Sequence, residues 1–285
     1  MQLRIMTKSD IPACMRLKEI AGWNQTAEDW MRFLDASVGG CFVAEVDGEV
    51  RGTVATIAYG KRFAWVGMVL VDQEYRGKGL GTRLLRVAID FLQDARIACI
   101  KLDATPQGKP IYEKLGFECE YEIERWILKR TPDVAARTKE SVSKNTVSEQ
   151  VFESILAEDL AVFGADRSKL LESLRQSAPE FTNAISEKSE LRGYTFGRRG
   201  SFADHLGPWM AKDPNAASEL LRAFLVRSRR ETLLVDCLKS NATACGLVQS
   251  MGFRFSRPLT RMYLGANHSP GQTENLCAIA GPEFG

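Results

Sequence analysis

VDQEYRGKGLGT, residues 71–82, is the stretch that decides the fold. It lies between an apolar run that is typical of a strand and a segment whose apolar residues recur at helical spacing. Three glycines alternate with other residues in it: Gly77, Gly79 and Gly81. Glycine permits positive φ and lacks a Cβ atom, so successive N–H groups can converge on one anion, and the helix N-terminus adds a partial positive charge. With Arg76 and Lys78 beside them, these glycines favour a pyrophosphate site, and a glycine-rich turn with solvated cations is the alternative.

Two other phosphate-binding motifs fail on spacing. A P-loop needs Gly-Lys followed by Ser or Thr, whereas Lys78 is followed by Gly79. The dinucleotide fingerprint G-x-G-x-x-G would need its third glycine at position 82, which is Thr82. The pattern that remains is R-x-x-G-x-G, running from Arg76 to Gly81.

Composition and charge limit the class of protein. With 285 residues, the chain has room for two domains of ordinary size. Its formal charge of +2 gives no field that would favour nucleic acid or a membrane as a partner, and no apolar run reaches the roughly 20 residues of a membrane span. Because the first residues are too polar for a signal peptide, we expect a cytoplasmic protein. The seven cysteines lack the spacing of a zinc site, so we predict no metal.

An internal repeat relates the two halves of the chain. The segments LGFECEYEIERWIL (115–128) and MGFRFSRPLTRMYL (251–264) share a Gly-Phe pair and a closing Leu, and they lie 136 positions apart. The same offset places Leu84-Leu85-Arg86 on Leu220-Leu221-Arg222. We therefore infer an internal duplication.

The order of elements predicts the fold class. In the first half, the order of strands and helices is that of an α/β fold, with a mixed β-sheet flanked by helices. One helix forms a crossover connection at the centre of the sheet. Asp47-Gly48 between two alternating apolar segments predicts a hairpin. The duplication predicts this fold twice, in two tandem domains. A polar stretch separates the halves, and the predicted divisions are a first domain at 1–130, a linker at 131–150, a second domain at 151–266 and a tail at 267–285.

The pattern from Arg76 to Gly81, with YEKLGF (112–117) further on, resembles the GNAT superfamily of N-acetyltransferases, whose signature is Q/R-x-x-G-x-G/A. The resemblance covers most of residues 1–128. It implies acetyl-CoA as the co-substrate, with its pyrophosphate on the turn and its pantetheine arm beside the strand FAWVGMVLV (63–71). The residues that it implies for acetyl-CoA are Val69, Val71, Arg76, Gly77, Lys78, Gly79, Leu80, Gly81 and Thr82.

The resemblance also implies roles in catalysis and acceptor binding. Tyr112 takes the place of the tyrosine that protonates the departing CoA thiolate, and packing of its short helix is the alternative. Gly67 fits a bulge in the strand beside pantetheine, whereas a plain central strand is the alternative. The loop between the first two helices lines the acceptor side in this superfamily, and it contains Trp23, Asn24 and Gln25. For Trp23, anchoring of the loop is as good an explanation as contact with substrate.

Four stretches resemble the tandem YitH-like acetyltransferases, in which a catalytic N-terminal domain precedes a degenerate GNAT-like domain. They are AGWNQTAEDWMRFL (21–34), LDATPQGKPIYEKLGF (102–117), LGPWMA (206–211) and AIAGPEFG (278–285). The repeat offset replaces Arg76, Gly79, Gly81 and Tyr112 by Lys212, Asn215, Ala217 and Val248. We therefore predict that the second half does not bind CoA productively and instead shapes amine specificity.

The general base is not fixed by the sequence. Asp103, Glu45 and the Asp204-His205 pair are all candidates. SFADH (201–205) is not a Ser/His/Asp triad, because neighbours on one strand point to opposite faces and no G-x-S-x-G elbow accompanies them.

The predicted function is direct transfer of an acetyl group from acetyl-CoA to a primary amine. A non-catalytic CoA-binding sensor and an enzyme with a different acyl donor are the alternatives. The acceptor is a small polyamine, an amino acid, an antibiotic or a protein N-terminus. We expect a monomer or a homodimer.

Overall fold

The computed structural model describes residues 1–132, 147–188 and 190–285, which form two compact units. Unit 1 consists of Met1–Cys119, Met262–Ser269 and Phe284, and unit 2 of Glu120–Arg261, Pro270–Glu283 and Gly285. Unit 1 thus stops short of the predicted division at residue 130. Within the predicted linker, residues 133–146 lie outside the described residues.

Unit 1 is a mixed sheet with helices packed against it. Its elements are β1 (Gln2–Ile5), α1 (Ile11–Ile20), α2 (Ala27–Ala36), β2 (Phe42–Val46), β3 (Glu49–Tyr59), β4 (Phe63–Val71), α3 (Leu80–Asp94), β5 (Cys99–Ala104) and α4 (Lys109–Lys114). The strands follow the order β1-β2-β3-β4-β5, and only β4 and β5 are parallel. Asp47 and Gly48 have φ values of 52° and 79°, as a tight hairpin turn requires, so the predicted hairpin is confirmed.

Helix α3 forms the crossover between β4 and β5. Its buried side chains recur at the spacing that the sequence predicted: Leu80, Leu84, Leu85, Ala88, Ile89 and Leu92. They pack in one core with Val54, Ala64 and Val66 from β3 and β4. Because each fully buried leucine contributes about 1.5–3 kcal/mol, this face holds the N-terminus of α3 firmly at the end of β4.

Unit 2 repeats the arrangement. Its elements are β6 (Glu118–Lys129), α5 (Glu149–Phe163), α6 (Ser168–Ser177), β7 (Asn183–Glu187), β8 (Glu190–Arg199), β9 (Asp204–Ala211), α7 (Pro214–Arg227), β10 (Thr232–Leu238), α8 (Ala242–Ser250), β11 (Arg254–Gly265) and β12 (Leu276–Ala278). The last residues of β11, from Met262, are grouped with unit 1, and the first two of β6 are as well. The other strands follow the order β6-β10-β12-β9-β8-β7, with β9 and β10 parallel.

The duplication predicted from the sequence is confirmed by the order of elements. Both halves run through two helices, three strands, a crossover helix, a strand, a short helix and a long strand. Leu84 and Leu85 on α3, like Leu220 and Leu221 on α7, are buried in their own cores. The predicted α/β class, with helices flanking mixed sheets, is confirmed too. Strand β12 is the addition in the second half, and it lies inside the predicted tail at 267–285.

Candidate active site

In unit 1, β4 and β5 separate beyond a short stretch of pairing. Two rungs join them, Ala64 with Ile100 and Trp65 with Lys101. Beyond Trp65, β4 continues to Val71 without a ladder partner on this side among the described residues. The edge of β4 therefore has backbone N–H and C=O groups available beside a wedge-shaped gap.

A bulge reshapes β4 at this gap. Thr53 pairs with Leu70, but Ala55 pairs with Gly67, so the register shifts across Met68 and Val69. Met68 has a φ of 55°, which is strained for a non-glycine residue. Its carbonyl accepts a hydrogen bond from Thr53 Oγ1 at 2.7 Å. The bulge predicted at Gly67 is thus present and lies one residue further on.

The glycine turn follows β4 and begins α3. Gly77 and Gly79 have φ values of 73° and 78°, and a Cβ atom on either would meet no atom within 4 Å. The turn is therefore open above both glycines. Gly81 differs, because a Cβ atom there would lie 3.4 Å from a methyl group of Val71. The absence of a side chain at Gly81 permits α3 to approach β4 closely.

The amides of this turn are available. Among the described residues, Arg76 donates its backbone N–H to the Gln73 carbonyl and Arg83 donates to the Gly79 carbonyl, at 3.3 and 3.1 Å, while the amides of 77–82 have no such acceptor. Gly79 is the N-cap of α3, and no side chain caps this helix. Unpaired amides at a helix N-terminus favour an anion. The turn is thus suited to the diphosphate of a nucleotide.

The two basic side chains of the turn are exposed and held in different ways. Arg76 Nε donates to the carbonyl of Val71 at 3.0 Å, so this guanidinium folds back on the end of β4. The Lys78 ammonium lies 5.2 Å from the centre of the Tyr75 ring. Both charges stay beside the free amides, where they can attract an anion.

Tyr112 lies on α4 and packs against Phe117, with ring centres 5.9 Å apart. The side chain is half-buried, and desolvation raises the pKa of its phenol to about 12. Among the described residues, no hydrogen-bond partner of its hydroxyl is found. The ring thus packs against Phe117 while the hydroxyl group remains protonated, and the catalytic role of Tyr112 stays a prediction.

The loop between α1 and α2 contains the predicted acceptor residues and is held by backbone hydrogen bonds. Trp23 is half-buried, with its amide donating to Lys18 O at 2.9 Å, whereas Asn24 and Gln25 are buried. The next residue, Thr26, is the N-cap of α2 and donates its backbone N–H to the Asp29 carboxylate at 2.9 Å. The three predicted acceptor residues are thus adjacent on a fixed loop, and their contact with substrate stays a prediction.

The candidate bases differ in how they are held. Glu45 accepts a hydrogen bond from Arg4 Nε at 2.8 Å, and Asp103 is half-buried on β5. Asp204 accepts from the Ser228 hydroxyl at 2.6 Å, whereas the adjacent His205 has Nε2 at 3.0 Å from an oxygen of Asp236. The two neighbours have different partners, as expected for opposite faces of a strand, and no base is assigned.

The corresponding gap in unit 2 is filled. Strands β9 and β10 pair at their starts, from Asp204 with Leu233 to Leu206 with Val235. Beyond this, β12 lies between them: Cys237 pairs with Ala278, and Met210 pairs with Leu276. A segment of the chain itself thus occupies the groove that is open in unit 1.

The helix N-terminus of unit 2 is also occupied. The Asp213 carboxylate caps α7 by accepting from Ala216 N at 2.9 Å, and Pro214 supplies no N–H. Backbone hydrogen bonding, from Ala216 first, lowers the pKa of Asp213. A negative charge therefore stands where α3 leaves free amides.

Two models of known protein families match the chain in succession. The model of the acetyltransferase (GNAT) family matches residues 10–117, and that of an acetyltransferase (GNAT) domain matches residues 155–278. The chain belongs to the GNAT superfamily. It is a tandem GNAT acyltransferase, as the turn and the repeat predicted, and acyl transfer from acetyl-CoA is the general chemistry of this family.

Relatives extend over most of the chain. The uncharacterized N-acetyltransferase YitH of Bacillus subtilis is 26% identical over 243 residues, covering 85% of this chain and 84% of that protein. Holothin acyltransferase of a Pseudoalteromonas species is 24% identical over 265 residues, covering 92% and 87%. A solved structure from Pyrococcus horikoshii shares the fold with a TM-score of 0.79 at 23% identity, covering 100% of this chain and 95% of that one.

Two other findings concern membrane-spanning helices and metal sites. In the described ranges, no helix is both long and apolar enough to cross a membrane. The same ranges contain no group of His, Cys, Asp and Glu side chains that could hold a metal ion. The cytoplasmic location remains a prediction.

Two features that distinguish the open groove from the filled one are not found by sequence reasoning. Strand β12 falls in the predicted tail, and its apolar residues, LCAIA at 276–280, are the signal of its burial. The Asp72 carboxylate gives no local signal because its partners, Arg16 and Arg51, are remote in the sequence. Both become apparent only when the strands are assembled.

Proposed function

We propose that unit 1 transfers an acetyl group from acetyl-CoA to a primary amine by direct attack of the amine on the thioester. The observation that carries this proposal is the open turn at 77–82 beside the unpaired edge of β4. The equivalent places in unit 2 contain the Asp213 carboxylate and β12. A turn and groove that one unit keeps free and the other fills are best explained by a ligand in the first.

The residues of unit 1 fit acetyl-CoA in shape and charge. The free amides of 77–82 and the exposed charges of Arg76 and Lys78 suit the diphosphate. The backbone of Val69 and Val71, on the open side of β4, suits the amides of pantetheine, which would add like a strand. These contacts would direct the thioester toward the bulge at Met68.

Tyr112 is the proposed general acid. The amine nitrogen forms a bond to the acetyl carbon, the carbon–sulfur bond breaks, and the phenol gives its proton to the departing thiolate. The amine loses a proton to a base that is not assigned. With a pKa of about 12, the phenol is fully protonated near neutral pH, as this role requires. Tyr112 should therefore add no alkaline limb to the pH profile of kcat between about pH 7 and pH 10.

The acceptor is proposed to be a small molecule with a primary amine, next to the loop of Trp23, Asn24 and Gln25. Spermidine N(1)-acetyltransferase of Escherichia coli is 33% identical over 89 residues, which are 29% of this chain and 47% of that protein. This relative makes polyamines the first class to test. Unit 2 is proposed not to bind CoA productively. Its proposed role is to shape the specificity for the amine.

The test is release of free thiol from acetyl-CoA in the presence of a mixed panel of amines. We expect amine-dependent release by the native protein. Tyr112→Phe should lower turnover at least about tenfold with nearly unchanged affinity for CoA, because the ring that packs on Phe117 is kept while the proton is lost. Unchanged turnover would remove Tyr112 from the mechanism.

A different result would favour the sensor function. If acetyl-CoA raises the melting temperature but no amine in the panel is acetylated, the protein binds CoA without using it. If neither acetyl-CoA binding nor turnover is seen, the proposal fails as a whole.

A further inference from the structure

Asp72 is the first residue after β4, and its buried carboxylate joins three parts of unit 1. One oxygen accepts hydrogen bonds from Nη1 of Arg16 at 3.1 Å and from Nη1 of Arg51 at 3.0 Å. The other oxygen accepts from the amide of Glu74 at 3.4 Å. Only 6% of Asp72 is exposed, although it lies beside a turn that is open to solvent. We call Asp72, Arg16 and Arg51 the Asp72 clamp.

The Asp72 clamp determines how the chain enters the glycine turn. The amide of Asp72 donates to the Arg51 carbonyl at 2.8 Å, which continues the β3–β4 pairing by one residue. The Asp72 carbonyl then accepts from the amide of Tyr75 at 2.9 Å and closes the short 3-10 turn at Gln73–Tyr75. The glycine turn begins directly after it. The position of Asp72 therefore helps to set where the glycine turn starts.

The clamp also reaches the charges of the turn. The Arg51 guanidinium lies 5.4 Å from the centre of the Tyr75 ring, and the Lys78 ammonium lies 5.2 Å from it. Both cations are thus held by the same aromatic side chain. The contacts extend without interruption from α1, through Asp72 and Arg51, to the residue between the first two glycines.

The carboxylate of Asp72 is ionised in this setting. Burial raises its pKa, but hydrogen bonds from the Arg16 and Arg51 guanidinium groups more than offset this, so that the pKa is lowered overall. A fixed negative charge next to an anion site opposes binding by simple electrostatics. The Asp72 carboxylate therefore needs another reason to be there. Its hydrogen bonds to Arg16, Arg51 and Glu74 give one, because they fix the backbone before the glycine turn.

Unit 2 keeps the arginine but moves the carboxylate. The amide of Lys212 donates to the Arg192 carbonyl at 2.8 Å, just as Asp72 does to Arg51. Here, however, Arg192 Nη2 pairs at 3.0 Å with Asp213, one residue further along, whose other oxygen caps α7. The shifted carboxylate occupies the amides that the Asp72 clamp leaves free in unit 1.

We infer that Asp72 is a positioning residue for the diphosphate of acetyl-CoA: it holds the turn so that the amides of 77–82 point outward, without touching the ligand. This inference rests on the proposed function of unit 1. It predicts that loss of the Asp72 charge weakens binding of the nucleotide end, although charge alone would strengthen it.

The test compares two donors in native protein and Asp72→Asn, a substitution of equal size. Acetyl-CoA carries the diphosphate, whereas acetyl-pantetheine carries the same thioester without it. We expect KM and Kd for acetyl-CoA to rise at least about tenfold, while kcat/KM for acetyl-pantetheine changes less than about twofold. Arg16→Gln, which leaves Arg51 in place, should raise the same constants by a smaller factor.

The outcomes are distinct from those of the proposed function. Unchanged or tighter binding of acetyl-CoA by Asp72→Asn would overturn the inference in favour of a simple charge effect. An equal loss with both donors would overturn it in favour of a general structural role. Failure of the native protein to bind acetyl-CoA would instead remove the proposed function, and the inference with it.

Discussion

The two units use one topology with opposite results at the same place. In unit 1, β4 and β5 diverge after Trp65, and the glycine turn beyond β4 has free amides. In unit 2, β9 and β10 diverge in the same way, but β12 lies between them and Asp213 caps the helix that follows. In both units the GNAT topology thus forms a groove between two strands and a helix N-terminus beside it. Whether they bind a ligand depends on what the chain places in them.

The filled groove of unit 2 is a structural core. Residues 276–281 are buried, and the amide of Ile279 donates to the Asp236 carbonyl at 3.1 Å. Arg198 pairs with Glu283 and donates to the carbonyl of Ala280. Removing the last residues from 276 onward would expose apolar surface and take the Glu283 carboxylate away from the buried Arg198, which is costly. Unit 2 thus gains stability where unit 1 keeps a site.

The largest expected effect tests the filled groove. A Cβ atom on Gly207 would lie 1.9 Å from the carbonyl oxygen of Ile279, and the φ of Gly207 is 151°. Gly207→Ala should therefore lower the free energy of unfolding by about 3 kcal/mol or more, measured by urea denaturation. Acetyl-CoA affinity of the folded protein should be unchanged.

Gly246→Ala is the matched control for this substitution. Gly246 is exposed on α8 and has no neighbour within 4 Å of an added Cβ atom. Its replacement should raise stability by roughly 0.5–1 kcal/mol. Equal stability of Gly207→Ala and the native protein would show that β12 is not held in the groove.

The next largest effect concerns the glycine turn, where a carboxylate is introduced at the N-cap of α3, as Asp213 provides one at the N-cap of α7. In Gly79→Asp, the new carboxylate would accept the turn amides, as Asp213 does on α7, and repel the diphosphate. We expect the Kd for acetyl-CoA, measured calorimetrically, to rise at least about 100-fold.

Gly79→Asn separates charge from shape. Asparagine tolerates the φ of 78° at this position about as well as aspartate does, but it carries no charge. It should weaken binding less than about tenfold. Equal losses for the two variants would mean that the space above Gly79, rather than its freedom from negative charge, determines binding.

The smallest expected effect is on the stability of the protein in acid, where one buried group of each unit titrates. His205 of unit 2 is buried, and desolvation lowers its pKa although Asp236 is adjacent and Arg198 and Arg125 also face it. The folded protein then binds fewer protons than the unfolded one below about pH 6.5. The free energy of unfolding therefore decreases as the pH is lowered from this value, by at most about 1.4 kcal/mol per pH unit. His205→Gln should remove this slope in urea denaturation.

Asp10 of unit 1 also loses stabilisation in acid, but in a lower pH window. A hydrogen bond from Arg4 lowers the pKa of Asp10 to about 2, so its stabilisation is present above about pH 3.8 and is lost as the pH falls toward 2. Asp10→Asn should therefore leave the slope between about pH 5 and pH 6.5 unchanged. A slope that persists in His205→Gln would place the acid-sensitive group elsewhere.

The sequence predicted those features that depend on neighbouring residues. The glycine turn, the spacing of leucines on α3 and the Asp47-Gly48 hairpin are local patterns, and all three are present. The repeat predicted the fold of the second half from the first. Local pattern and fold agree here because each is set by backbone freedom and apolar spacing.

Features that depend on distant residues could not be predicted. Strand β12 pairs with segments that lie about 40 and 70 residues before it, and no local pattern specifies such partners. The Asp72 clamp joins side chains on α1, on β3 and directly after β4, at residues 16, 51 and 72. The availability of the Tyr112 hydroxyl likewise depends on its surroundings in the folded unit.

A crystal structure of the full chain with coenzyme A would show whether unit 1 alone binds the nucleotide. We expect one nucleotide per chain, with its diphosphate on the amides of 77–82 and none beside β12. A nucleotide bound solely at residues 212–217 would contradict this expectation.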